Sequence, residues 1–317
     1  MIRSAVLFIL ALFAIPAHAA DVVTKDGAPR SFTIQNLRLE NGTALPQARI
    51  EYATYGTLDA ARRNTPAPFH GPRFPVATIR DNVEAVRRLL DAQFHVRHVR
   101  AIVGFSMGGE HAFQLAVSHP DFADRIVVTS ANARAWPHGI VRLESQIAAL
   151  EAAPAFDGGN YAAPPRKGLE AFGAVWSAWL FSQQWWRDEL WSSYSPPGTT
   201  FQQVMDGFRK DFIPGADAND MLLQICTWET HDIGTTPGYG GDTKCALAAI
   251  RVPLLYMLSE TDLYFPVTDA RYEAQFMHSV TLKPIPSLWG HTAGAASNPA
   301  DAQFLNDNIK AFLAAPE

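Results

Sequence analysis

The chain has 317 residues, 48% of them hydrophobic and 18% charged, with a formal net charge of −5 at neutral pH. This is an ordinary globular composition, and a mildly acidic chain without any Lys/Arg cluster excludes a protein built to grip nucleic acid. Its only two cysteines, Cys226 and Cys245, lack metal-site spacing, and no paired His or Cys set supports a metal centre.

Residues 1–20 read as an export signal outside the fold. Arg3 supplies the positive start, residues 5–15 a short apolar core, and Ala17-His18-Ala19 a small-residue cleavage site. That run is too short to span a bilayer, and no later segment is long and apolar enough, so no integral membrane segment is expected. Cleavage near Ala19 or Ala20 predicts a periplasmic or secreted protein beginning near Asp21. In such a compartment Cys226 and Cys245 could pair, which spacing alone leaves open. The roughly 300 residues that remain suit one large α/β domain with an inserted subdomain.

Residues 31–39 and 48–55 carry β-branched and aromatic residues in partial alternation on either side of Asn41-Gly42, predicting an antiparallel hairpin. Residues 56–75 are rich in Pro, Gly and Arg and contain no strand-like run. Residues 78–94 place Ile79, Val83, Val86 and Leu89 or Leu90 at helical spacing. A buried parallel strand is expected at 99–103, a helix at 108–119 stopped by Pro120, and a further strand at 125–130.

From 135 to 242 the strand–helix rhythm stops. Residues 169–191 contain Phe172, Trp176, Trp179, Leu180, Phe181, Trp185, Trp186, Leu190 and Trp191, which predicts helices apolar on more than one side. Such helices are either an insertion packed onto the main domain or a lid that walls an apolar pocket. The rhythm resumes with a strand at 252–258, a helix at 267–277, a strand at 280–285 and a closing helix at 301–313. Residues 21–134 and 243–317 thus form the α/β core, and 135–242 the helical lid insertion.

The stretch Gly104-Phe105-Ser106-Met107-Gly108 has the form G-x-S-x-G, between an apolar strand and a helix. Glycines flank a serine in this way where a sharp turn brings neighbouring elements too close for a Cβ and lifts the hydroxyl clear of the backbone. A serine so placed needs a base to take its proton and an acid to orient the base. The loop after the 252–258 strand offers Glu260 and Asp262, of which Asp262 sits further out. Trp289-Gly290-His291 follows the last strand, and among the ten histidines only His231, next to Asp232, competes with His291.

GFSMGGEHAFQLAVSHPDFADRIVVTSANAR from Gly104, VPLLYMLSETDLYFPVTDARYEAQF from Val252 and PIPSLWGHTAG from Pro284 resemble the homoserine O-acetyltransferase branch of the α/β-hydrolase proteins. LENGTALPQARIEYATYGTLDAARRN from Leu39 and GPRFPVATIRDNVEAVRRLL from Gly71 look like it too, so the resemblance covers nearly the whole mature chain. It implies an α/β-hydrolase fold, a mostly parallel sheet with helices on both faces and an inserted helical lid. It implies Ser106 as nucleophile, Asp262 as acid and His291 as base; in a hydrolase mechanism the Met107 amide would supply one oxyanion donor, and no cofactor is expected. The substrate would be a small-molecule acyl ester, and a homodimer through lid contacts is allowed.

Two departures stand out. GFSMGGE differs from the GGSMGGM form of the transferases. Between Asn64 and Thr65 roughly fifty residues of the family pattern are absent, among them two central strands and the oxyanion loop. The expected consequence is that residues 48–55 move in beside the 99–103 strand, or that the sheet keeps an open edge and lacks its second oxyanion donor. Three functions follow: an exported carboxylic ester hydrolase, an acyltransferase using an acyl-CoA donor, or a catalytically impaired, truncated family member.

Overall fold

The computed structural model describes residues 6–10, 30–52, 71–210 and 216–315. Five strands form one parallel sheet: β1 (Val6–Leu10), β4 (Ala101–Phe105), β5 (Ile126–Thr129), β6 (Leu254–Met257) and β7 (Val280–Leu282), in the order β1-β4-β5-β6-β7. β5 and β6 are buried at every position, which is why they read as unbroken apolar runs. Their side chains alternate between two cores. Ile126, Val128, Leu254 and Tyr256 join the larger one, whereas Val127, Leu255 and Met257 meet Leu305 of α10 (Pro299–Ala314) in the other.

β2 (Arg30–Arg38) and β3 (Ala44–Tyr52) form a separate antiparallel pair. Ile34, Leu37, Leu39 and Leu45 cover Ala85 of α1 (Ile79–Phe94). A capping box starts α1, with Thr78 and Asp81 exchanging bonds, and Asp81 also accepts from the Glu40 amide at 3.1 Å. That tie fixes the hairpin to the helix.

Here the structure corrects the sequence reading. The partner that β4 takes opposite β5 is β1, in parallel register from Val6 with Ala101 to Leu10 with Phe105. Residues 48–52 remain with β2, so they do not move in, and in the full chain it is β1 that covers this edge of β4. The hairpin satisfies their backbone groups across a short turn, whereas transfer to β4 would orphan β2. Within residues 1–20, Val6–Leu10 is described as the strand beside β4. The junction of Asn64 with Thr65 and the Ala17–Ala20 cleavage site lie outside the described residues.

The helix after β4 is α2 (Met107–Ser118). Between β5 and β6 the chain runs through α3 (Pro137–Glu151), α4 (Arg166–Leu180), α5 (Gln183–Arg187), α6 (Phe201–Lys210), α7 (Ala218–Glu229) and α8 (Thr243–Ala248). α9 (Val267–Ala274) follows β6. Glu273 of α9 holds the entry to the long helical segment, accepting from the Ala133 amide, the Trp136 indole (2.8 Å) and the Tyr256 hydroxyl (2.8 Å). Cys226 and Cys245 are both free thiols. No helix among the described residues is long and apolar enough to cross a membrane.

Candidate active site

Ser106 sits where β4 gives way to α2, at φ 54° and ψ −128°. A β-carbon on Gly104 would collide with the Gly108 carbonyl, and one on Gly109 would lie 2.6 Å from the Ala131 methyl. Close approach therefore requires Gly104, as the motif predicts, and also Gly109, just beyond it. Ser106 is the N-cap of α2, yet its side chain makes no capping bond. The twisted backbone turns the hydroxyl away from the helix, and it meets His291 Nε2 at 2.9 Å. Met107 opens the helix, so its N–H lies in the first turn, where no intrahelical acceptor exists.

Asp262 lies in the loop after β6 and is buried. Its Oδ1 accepts from the amides of Tyr264 (2.8 Å) and Phe265 (3.1 Å), which locks the carboxylate. Oδ2 stands 3.1 Å from His291 Nδ1. A carboxylate can only accept, so Nδ1 carries the imidazole proton and Nε2 is left to accept from Ser106. Glu260, the other acid on this loop, is exposed, and the Nδ1 position is taken.

His291 is the second residue of a 3-10 turn opened by Gly290, whose φ is 56° and whose absent Cβ would lie 2.7 Å from the Leu180 carbonyl at the end of α4. Ser182 caps α5 and also donates to the Leu288 carbonyl at 2.6 Å. The inserted helices thus grip the histidine loop. The imidazole lies among Phe105, Tyr264 and Phe265 at 5.0, 4.4 and 5.6 Å between centroids, with Tyr264 stacked on it. His231, the competing base, is 3% exposed and lies near His111 instead. Burial, with that neighbour, pushes its pKa down to about 3.

Three residues near the site escaped the sequence reading. Glu110 of α2 is fully buried, and burial raises its pKa well above the carboxylate range. Arg142 of α3 is 1% exposed, with its guanidinium 3.9 Å from the Tyr264 ring centre and 4.3 Å from that of Trp228. Tyr264 itself went unremarked beside Asp262. The one available signal was Glu110, where GFSMGGE departs from the transferase motif.

Of the aromatic residues at 169–191, Phe172, Trp176, Phe181, Trp185 and Trp191 are buried against one another and the core. Trp185 stacks on Phe181 at 3.8 Å and meets Trp289, two residues before His291, edge-on at 6.0 Å. The density that suggested a pocket wall is largely spent on packing.

Residues 60–293 match a family model described as the alpha/beta hydrolase fold. The chain is 29% identical over 259 residues to an ethyl acetate hydrolase of Pseudomonas veronii, covering 81% of this chain and 72% of that protein. It is 28% identical over 255 residues to a homoserine O-acetyltransferase of Trichormus variabilis, covering 75% of this chain and 67% of the relative. Among solved structures, an acetylester hydrolase from Corynebacterium glutamicum shares the fold with a TM-score of 0.84 at 22% identity, over 91% of this chain and 96% of that one.

Proposed function

Because the chain belongs to the α/β-hydrolase family, in the branch that holds homoserine O-acetyltransferases and related esterases, we propose that it hydrolyses small carboxylic esters through a serine acyl-enzyme. The observation that carries this reading is the unbroken hydrogen-bond run from Ser106 through His291 to Asp262. Ser106 Oγ attacks the ester carbonyl as its proton passes to His291 Nε2, and Asp262 steadies the resulting imidazolium. The Met107 N–H receives the oxyanion. His291 then protonates the departing alcohol, and a water activated by the same nitrogen releases the acid. No cofactor enters any step. The ethyl acetate and acetylester hydrolase relatives favour a short acyl group such as acetyl.

A fluorophosphonate probe tests the reading. It should add to Ser106 alone, with the adduct located by peptide mass spectrometry, and S106A should stay unlabelled. A folded protein that takes no label would sink it. The homoserine O-acetyltransferase relative favours a second reading, in which the acyl-enzyme passes to an alcohol instead of water. Added homoserine diverting most of the acyl group from hydrolysis would select that reading.

We also propose that residues 1–20 direct export, with cleavage near Ala19 or Ala20. Processing would strip β1 from the sheet and expose one edge of β4. N-terminal sequencing of the protein from a periplasmic extract should begin near Asp21, and recovery of intact Met1 only from the soluble cytoplasm would refute export. Residues 65–70, part of the stretch that could bring a second oxyanion donor, lie outside the described residues. Helices α3 to α7 act as the lid in this scheme.

A further inference from the structure

The Tyr264 ring has two faces, and His291 stacks on one of them with centroids 4.4 Å apart. That leaves the other face for the Arg142 guanidinium at 3.9 Å, which is itself 4.3 Å from the centre of Trp228. A charged group from α3 and an indole from α7 thereby back the ring that backs the imidazole. We propose that Arg142 is a positioning residue, clamping Tyr264 flat against His291 and placing a buried cation behind the base; the idea rests on the acyl-enzyme reading above.

Three features support it. Nothing about packing requires a guanidinium there: its Nη1 donates only to Gln146 at 2.8 Å, one turn along α3, and its Nε has no hydrogen-bond partner among the described residues. An arginine buried to 1% without a close carboxylate is costly, so a role beyond filling space is expected. The planar guanidinium, in contrast, suits a place between two aromatic rings, where a lysine ammonium would not stack.

The charges that face this group come from several elements. Glu110 projects from α2, Glu229 from α7, and Asp262 from the loop after β6. Burial lifts Glu110 well above the usual range, and burial with Glu144 lifts Glu229 to about 7. Both are thereby held toward their neutral forms, and the positive charge of Arg142 is only partly offset. Asp262 is committed to His291.

The test compares Arg142→Met and Arg142→Lys with the parent full-length chain on a short-chain acetate ester. Arg142→Met is expected to lower kcat about 10–100-fold with little change in KM, because the ester never touches Arg142 but the base loses its alignment. Arg142→Lys should recover only part of kcat, since the charge is restored without the stack. NMR shifts of the His291 ring protons supply a readout independent of turnover, because Tyr264 stacks on that ring, and R142M should change them as the stack loosens. A folded R142M whose kcat and His291 ring shifts both match the parent overturns the proposal. If R142M does not fold, Tyr264→Leu keeps the cation and removes the ring between, and should lower kcat by a similar factor; an unchanged kcat there overturns it equally. A parent protein that neither labels nor turns over ester would fail the functional reading, while the NMR comparison would still decide the clamp.

Discussion

Ser106→Ala is expected to abolish ester turnover, and His291→Ala to cost nearly as much, because nucleophile and base act as one unit. The expected loss is about 10⁶-fold in kcat for either, with little further loss when the two are combined. Asp262→Asn should leave a folded protein with roughly 10⁴-fold lower kcat. The geometry gives the reason. With Oδ1 already accepting from two backbone amides, an asparagine at 262 must either give up those bonds or aim its NH₂ at His291 Nδ1. The second choice forces the proton onto Nε2, where it can no longer accept from Ser106. Single-turnover and steady-state assays of the three variants check this. His231→Leu, which removes a buried neutral ring, should keep turnover near the parent level. A dead H231L beside an active H291A would show that the base has been misassigned.

Trp185→Ala should cost about 3–5 kcal/mol of stability, the range for emptying a large aromatic site that cannot collapse. Trp185 is 0% exposed, stacked on Phe181 at 3.8 Å, and ringed by Trp186, Trp191, Tyr194 and Trp289. These neighbours are rigid rings that pack against one another, so they have little freedom to fill the void. Trp185→Phe should cost much less. It keeps a ring on Phe181 and removes a buried indole N–H that has no hydrogen-bond partner among the described residues. Urea midpoints for the two variants separate the outcomes, and a loss below about 1 kcal/mol for W185A would contradict the packing account. Activity should fall with stability in W185A even below its unfolding transition. Trp289, which Trp185 supports, leads directly into Gly290 and His291, so loosening the cluster loosens the base.

This coupling changes what the inserted helices do. Gly290 lies against the end of α4, and Ser182 bonds to Leu288, so the corner between α4 and α5 belongs to the histidine loop as much as to any cover over the site. If α3 to α7 open as a lid, this corner is the part expected to stay in place.

Much of this was legible in the sequence because it was local. The glycines around Ser106 announce a tight turn by spacing alone, and a Cβ at Gly104 does collide with the backbone of Gly108. Apolar runs bounded by polar turns marked β4, β5 and β6 to within two or three residues, and heptad-like spacing marked α1. Asp262 and His291 were found from their order behind the last strands, and the structure brings both to Ser106.

Tertiary structure alone decided three things. An apolar run such as residues 6–10 has the same composition whether it serves as an export core or as a strand, and only a partner with unsatisfied backbone groups makes it β1. Residues 48–52 looked free to leave their hairpin until the tie from Asp81 to Glu40 fixed β2 and β3 against α1. Arg142 read as one more charged residue in an insertion, for which a solvated face is the default. Its burial between Trp228 and Tyr264 joins residues 86 and 122 positions away in the chain, and no periodicity of a single helix encodes that meeting. Local spacing thus determined which side chains could do chemistry, while the folding of distant segments onto one another decided what surrounds them.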